Sequence, residues 1–241
     1  MRLHARSLAS IAMIVSAAAL VACAGTPGPA QPEIPPGITA PPPTTPAQPT
    51  EAAPEVVSSL PAEIAGVDTT GWQQIAVPSG AATFRIPPGW SVAPAAGGLD
   101  VLRDDGQRQL GYVEAPNVGD GACRDASGEA VAWRTLGLDR QDVALEGAPG
   151  LAFGSAGLQL GGQWVMTMGL RPAEAAQRPQ CPIVHAVDTP AGTISFGTEV
   201  VAQGAGAGAP WAIDSLADAE AYLADPEYAT LRAILMSLEL L

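Results

Sequence analysis

Leu158-Gln159-Leu160-Gly161-Gly162-Gln163-Trp164-Val165-Met166-Thr167-Met168-Gly169-Leu170 is the stretch whose reading decides the fold class. Two apolar-rich runs, Leu158–Gly161 and Gln163–Leu170, bracket Gly161-Gly162. Paired glycines supply the positive φ angles of a tight hairpin turn, and a hairpin joins antiparallel neighbours. The same grammar repeats outward. Upstream, Trp72–Val77 alternates weakly, and Ala82–Ile86 runs into Pro87-Pro88-Gly89 and then Trp90–Ala93. Asp100–Arg103 and Gln109–Glu114 flank Asp104-Asp105-Gly106, a second hairpin signal. Val131–Leu136 and Leu151–Gly154 precede the central stretch; Ile183–Val187 and Thr193–Val201 follow it. Short strands between closely spaced turns predict an α+β, mainly β fold, an antiparallel meander sheet or sandwich.

The period changes near the end. Ser215 is a helix N-cap for Leu216–Ala224, with Asp218 in the first turn. Asp225-Pro226 opens a second helix, the aspartate as cap and the proline at the first helical position. Tyr228, Leu231, Ile234, Leu235 and Leu238 then recur at steps of three and four, so this helix is expected to lay its apolar face on the sheet. All of this belongs to residues 65–241, which carry every aromatic residue of the chain. That region is long enough to bury most of its apolar surface as one domain.

The other end reads differently. Arg2 and Arg6 precede an apolar run, Leu8–Ala22, too short to span a membrane and suited to a secretory signal. The exit, Leu20-Val21-Ala22-Cys23, resembles the lipobox of bacterial lipoproteins. That resemblance implies cleavage after residue 22, diacylation of the Cys23 thiol and attachment to the membrane through the N-terminal lipid. Two or more acyl chains anchor stably. Residues 23–64 then hold half of the 24 prolines with no aromatic residue or arginine. Such composition has little to bury and favours extended polyproline conformation, so it is expected to be a disordered tether.

Charge narrows the partners. The chain has 24 acids against 11 arginines, with no lysine, for a net charge of −13. No cationic surface for nucleic acid is expected. The envisaged partners are the membrane, through the lipid, and an envelope protein or glycan.

With Cys23 given to lipid, Cys123 and Cys181 remain, and an even pair in an exported domain reads as a disulfide. Metal binding is the rival reading, with His185 four residues beyond Cys181, but no companion ligands stand near Cys123. Two segments also resemble a family. Phe84-Arg85-Ile86-Pro87-Pro88-Gly89-Trp90-Ser91-Val92 is similar to the early strand–Pro-Gly-Trp–strand of PsbP/Mog1-like domains in secreted lipoproteins, and Tyr228–Glu239 to their final helix. The resemblance implies a largely non-enzymatic adaptor or accessory role.

No catalytic set stands out. Phe153-Gly154-Ser155-Ala156-Gly157 has phenylalanine where a nucleophile elbow needs glycine, and reads as a small-residue strand end. His185 is the one histidine left after signal removal; Asp188 is near it in sequence. Gly204-Ala205-Gly206-Ala207-Gly208 cannot be a Walker loop in a chain without lysine, so no cofactor is expected. Trp211, after the glycine-rich loop and a proline, is the exposed-aromatic candidate for ligand contact. The expectation is a lipid-anchored extracytoplasmic protein with a non-enzymatic binding or accessory head. The alternative is a cell-envelope hydrolase with a site near His185.

Overall fold

The computed structural model describes residues 67–119, 123–124, 128–202 and 211–241. The signal segment 1–22, Cys23, the proline-rich stretch 23–64 and the glycine-rich run 204–208 lie outside the described residues.

The fold is mainly β, with antiparallel pairing throughout and the C-terminal helices packed on the sheet. The chain begins with β1 (Gln73–Ala76), β2 (Ala82–Ile86), β3 (Ser91–Ala95), β4 (Gly98–Leu102) and β5 (Arg108–Glu114). The long strands β6 (Trp133–Val143), β7 (Leu151–Leu160) and β8 (Gln163–Pro172) follow, then a short helix α1 (Ala173–Gln177). Next come β9 (Ile183–Val184), β10 (Val187–Thr189), β11 (Gly192–Gly197), β12 (Val201–Ala202) and β13 (Ala212–Ile213). The chain closes with α2 (Leu216–Tyr222), α3 (Pro226–Met236) and β14 (Glu239–Leu240).

The main sheet runs β3-β4-β5-β11-β8-β7-β6, with β10 beside β11 and β13 beside β8. A smaller sheet is ordered β1-β2-β14, and β12 pairs with β9. Both hairpins expected from glycine form. Gly106 turns β4 into β5, and Gly161 and Gly162, at φ +57° and +88°, turn β7 into β8. The helix starts also form: the Asp225 carboxylate accepts from Glu227 N at 2.7 Å, and Ser215 Oγ accepts from Asp218 N at 3.3 Å.

The main core lies between the sheet and α3, which contacts β2, β7 and β8. Phe84, Tyr112 and Phe196 cluster there with ring centroids 4.9–6.3 Å apart. Tyr228, Leu231, Ile234 and Leu235 of α3 are fully buried beside them. Each buried aliphatic side chain of this kind contributes about 1.5–3 kcal/mol. Trp90 and Trp164 are only half-buried.

Three expectations are corrected. Leu151–Gly154 and Leu158–Gly161 are one ten-residue strand, because the small residues between them allow close cover on both faces. The segments after α1 are more broken than expected, with Val184 paired to Val201 and Val187 to Ile194. The closing helix stops at Met236, where Ser237 Oγ donates to Ile234 O; Glu239–Leu240 then pairs with Ala82–Thr83.

Candidate functional site

Four strand glycines lie directly opposite one another across the main sheet. Gly111 of β5 faces Gly197 of β11, which faces Gly169 of β8, which faces Gly154 of β7. Asp100 on β4 and Arg140 on β6 end the row. A glycine inside a strand marks a place where something else approaches the backbone closely. Here three basic side chains fill the trough. Arg108 lies against Gly111, and His185 against Gly169 and Gly197. A Cβ on Gly154 would sit 2.6 Å from Arg171 Nη2 and 2.7 Å from Nε.

The three are satisfied to different degrees. Arg108 Nε donates to Asp100 Oδ1 at 2.6 Å and Nη1 to Thr198 O at 2.8 Å. His185 is fully buried, its Nε2 2.6 Å from Thr167 Oγ1, which is 2.9 Å from Thr198 Oγ1. Its Nδ1 has no hydrogen-bond partner among the described residues. Burial, reinforced by the Arg171 charge, pushes the imidazole well below its usual range and keeps it neutral. Arg171 is 1% exposed, and none of its three guanidinium nitrogens has a hydrogen-bond partner among the described residues. Burial lowers it to about 10, so it still carries its charge at neutral pH.

Arg171 lines a half-open cavity of about 530 Å³ between α1 and the segment that follows it. Pro172, Ala175, Pro179, Pro182, Ile183 and Val184 give it apolar walls. Glu174, Arg178 and Gln180 are exposed on the same lining. Cys181, between the lining residues Gln180 and Pro182, is bonded to Cys123, with the two Cα atoms 6.0 Å apart. The disulfide thus ties one wall of the cavity to the segment before β6.

The opposite face of β7 carries a second polar group. Tyr228 Oη donates to Asp139 Oδ2 at 2.8 Å and lies 2.9 Å from Ser155 Oγ. Asp139 is 1% exposed, and burial raises its carboxyl, while Tyr228 and Arg232 act to lower it. Arg232 Nε is 3.8 Å from Asp139 Oδ2, and its guanidinium carbon is 5.8 Å from the Phe153 ring centroid.

This geometry separates the residues that the sequence put forward together. Ser155 faces α3, whereas His185 lies over the glycine row on the other face. Asp188 instead accepts a hydrogen bond from Thr193 Oγ1 at 2.7 Å. Trp211 is half-buried, edge-on to Tyr222 at 6.1 Å, and is not part of the Arg171 cavity. Sequence reasoning missed Arg171 altogether. Its signal was the glycines: Gly154 and Gly169 interrupt otherwise apolar strands two residues apart in register from Arg171.

The chain matches no family model, no curated protein and no solved structure.

Proposed function

We propose that the chain is a lipid-anchored extracytoplasmic protein whose β-rich head is a binding domain of the cell envelope. The anchor reading rests on the order of Arg2, Arg6, the apolar run Leu8–Ala22 and Leu20-Val21-Ala22-Cys23. Export is supported by the Cys123–Cys181 bond, since disulfides persist in oxidising compartments. The likeness of Phe84–Val92 to PsbP/Mog1-like domains points the same way, toward accessory work.

One observation carries the binding reading: a half-open cavity of about 530 Å³, large enough for a small molecule, has mostly apolar walls with the exposed Glu174, Arg178 and Gln180 on its lining. The hydrolase alternative has less behind it. Its base would be a histidine with no exposed surface, and Ser155 faces away from it.

The anchor is tested by fractionating cells that make the wild-type chain or Cys23→Ala, with fatty-acid labelling. The wild type is expected in the membrane pellet carrying acyl label. Cys23→Ala is expected to lose the label and to leave the membrane or accumulate as precursor. Equal labelling and retention of the variant would refute the anchor.

A further inference from the structure

We infer that a second cavity, beside α3, binds a small organic monocarboxylate between Arg232 and Arg85. The inference goes beyond the reading of the head as a binding domain, because it does not use the cavity at α1, and it is independent of the lipid anchor. The sequence of α3 makes the space. Tyr228, Leu231, Ile234 and Leu235 bury one face of the helix. Ala229, Arg232, Ala233 and Met236 recur at helical spacing and form the stripe beside that face. The two alanines leave room around Arg232. Arg85 of β2, Gln141 of β6 and Glu239 of β14 join the stripe in lining a cavity of about 360 Å³. That volume lies within the range of small-molecule sites.

Arg232 is the group that calls for an anion. Its side chain is 9% exposed. Nε and Nη1 are sealed from solvent without a hydrogen-bond partner among the described residues, whereas Nη2 keeps access. Nη2 is therefore the nitrogen that meets a ligand in the cavity that Arg232 lines. Asp139 stands 3.8 Å from Nε, beyond hydrogen-bond distance, and burial raises its carboxyl toward the neutral form. It compensates the guanidinium incompletely, and an incompletely paired buried charge is costly.

Arg85 supplies the second cation. Its side chain is 44% exposed, and its contact with Glu239 is loose at 3.5 Å. Exposed pairs of this kind hold little energy, so an incoming anion displaces the contact at small cost. Together Arg85, Arg232 and Glu239 leave the lining with a single net positive charge. A monoanion neutralises it, whereas a phosphate dianion would set excess charge against Glu239. Ala229, Ala233 and Met236 favour an apolar body beside the carboxylate. Asp139 and the Phe153 ring, 5.8 Å from the guanidinium carbon, hold Arg232 in place before any ligand arrives, which reduces the ordering lost on binding.

The test is calorimetric titration of the full-length chain with hexanoate, hexylamine and inorganic phosphate, with melting temperatures measured in parallel. Hexanoate is expected to bind saturably and raise the melting temperature, while hexylamine and phosphate do neither. Arg232→Met should weaken hexanoate by about tenfold or more, since it removes a charge-assisted hydrogen bond. Arg85→Gln, at an exposed position, should weaken it by about threefold to fivefold. Ala233→Leu fills the cavity without touching a charge and should weaken binding too. These two variants carry the comparison where Arg232→Met does not fold. Ala175→Phe, at an exposed position of α1 in the other cavity, should leave hexanoate binding unchanged. Hexanoate binding that survives Arg85→Gln and Ala233→Leu, or that is lost in Ala175→Phe, would place the site elsewhere and overturn the inference. Phosphate or hexylamine binding as tightly as hexanoate would overturn the ligand class. Binding of none of the three probes would overturn the inference outright and leave the cavity at α1 untouched.

Discussion

Asp139 and His185 are buried on opposite sides of the same strands, and burial shifts them in opposite directions. The Asp139 carboxyl is raised, with Tyr228 and Arg232 pulling against the shift; the His185 imidazole is lowered, and Arg171 adds to the shift. Both groups therefore favour their neutral forms in the folded chain. Above the ordinary carboxylate value, folded Asp139 still holds a proton that the unfolded chain has released. Its contribution is full below that value and is lost as pH rises through the folded one. His185 behaves in reverse. Below about 6.5 the unfolded chain binds a proton that folded His185 refuses, so its contribution is full above that value and is lost as pH falls. Urea midpoints measured from about pH 4 to 8 separate the two. Relative to the wild type, Asp139→Asn should gain as pH rises from the ordinary carboxylate value. His185→Gln should gain as pH falls below about 6.5. Slopes of the same sign in the two variants would contradict this assignment.

At the scale of elements, the glycine row decides what the main sheet can carry. The hairpins were legible because Asp105-Gly106 and Gly161-Gly162 need positive φ, a local demand written in the residues themselves. The unbroken β7 was not legible. Gly154-Ser155-Ala156-Gly157 has weak strand propensity, and its strand form depends on cover from Trp164 and Arg171 of the partner strand and from Leu216 and Tyr228, both distant in sequence. The candidate site was hidden for the same reason, since pairing across four strands brings its glycines into line. A substitution series tests the row. A Cβ on Gly169 would stand 2.6 Å from the His185 ring and 2.8 Å from Phe196 O, and backbone cannot swing aside. Gly169→Ala should therefore destabilise by about 1–3 kcal/mol, the range for overpacking a filled interior. Among the described residues Gly119 meets nothing within 4 Å of a built Cβ, and it has no positive φ, so Gly119→Ala should be neutral or slightly stabilising. Denaturant midpoints compare the two; equal effects would mean that the row has no packing role.

At the scale of the whole molecule, composition suggests a signal, a tether and a head, all but the last outside the described residues, whereas the wiring within residues 67–241 was not readable from it. The long-range tie that matters most is the bond between Cys123 and Cys181, 58 residues apart. With Cys23 set aside for the expected lipid, the two remaining cysteines suggested the pair, but nothing local showed that it would brace a cavity. Because Gln180 and Pro182 line that cavity on either side of Cys181, the bond couples global stability to the shape of the site. Closing a loop of this length is worth about 4 kcal/mol in the chain-entropy model. The double variant Cys123→Ser/Cys181→Ser should lose stability on that order by urea unfolding. The centre of the domain should survive, because the main core around α3 and the β7–β8 hairpin contains neither cysteine; Cys181 packs against the smaller cluster of Ala156, Leu158, Ile183 and Ala202. Far-ultraviolet dichroism at low denaturant is expected to stay β-rich. Loss of the β-rich signal together with the bond would show instead that the smaller cluster beside Cys181 holds the main core in place.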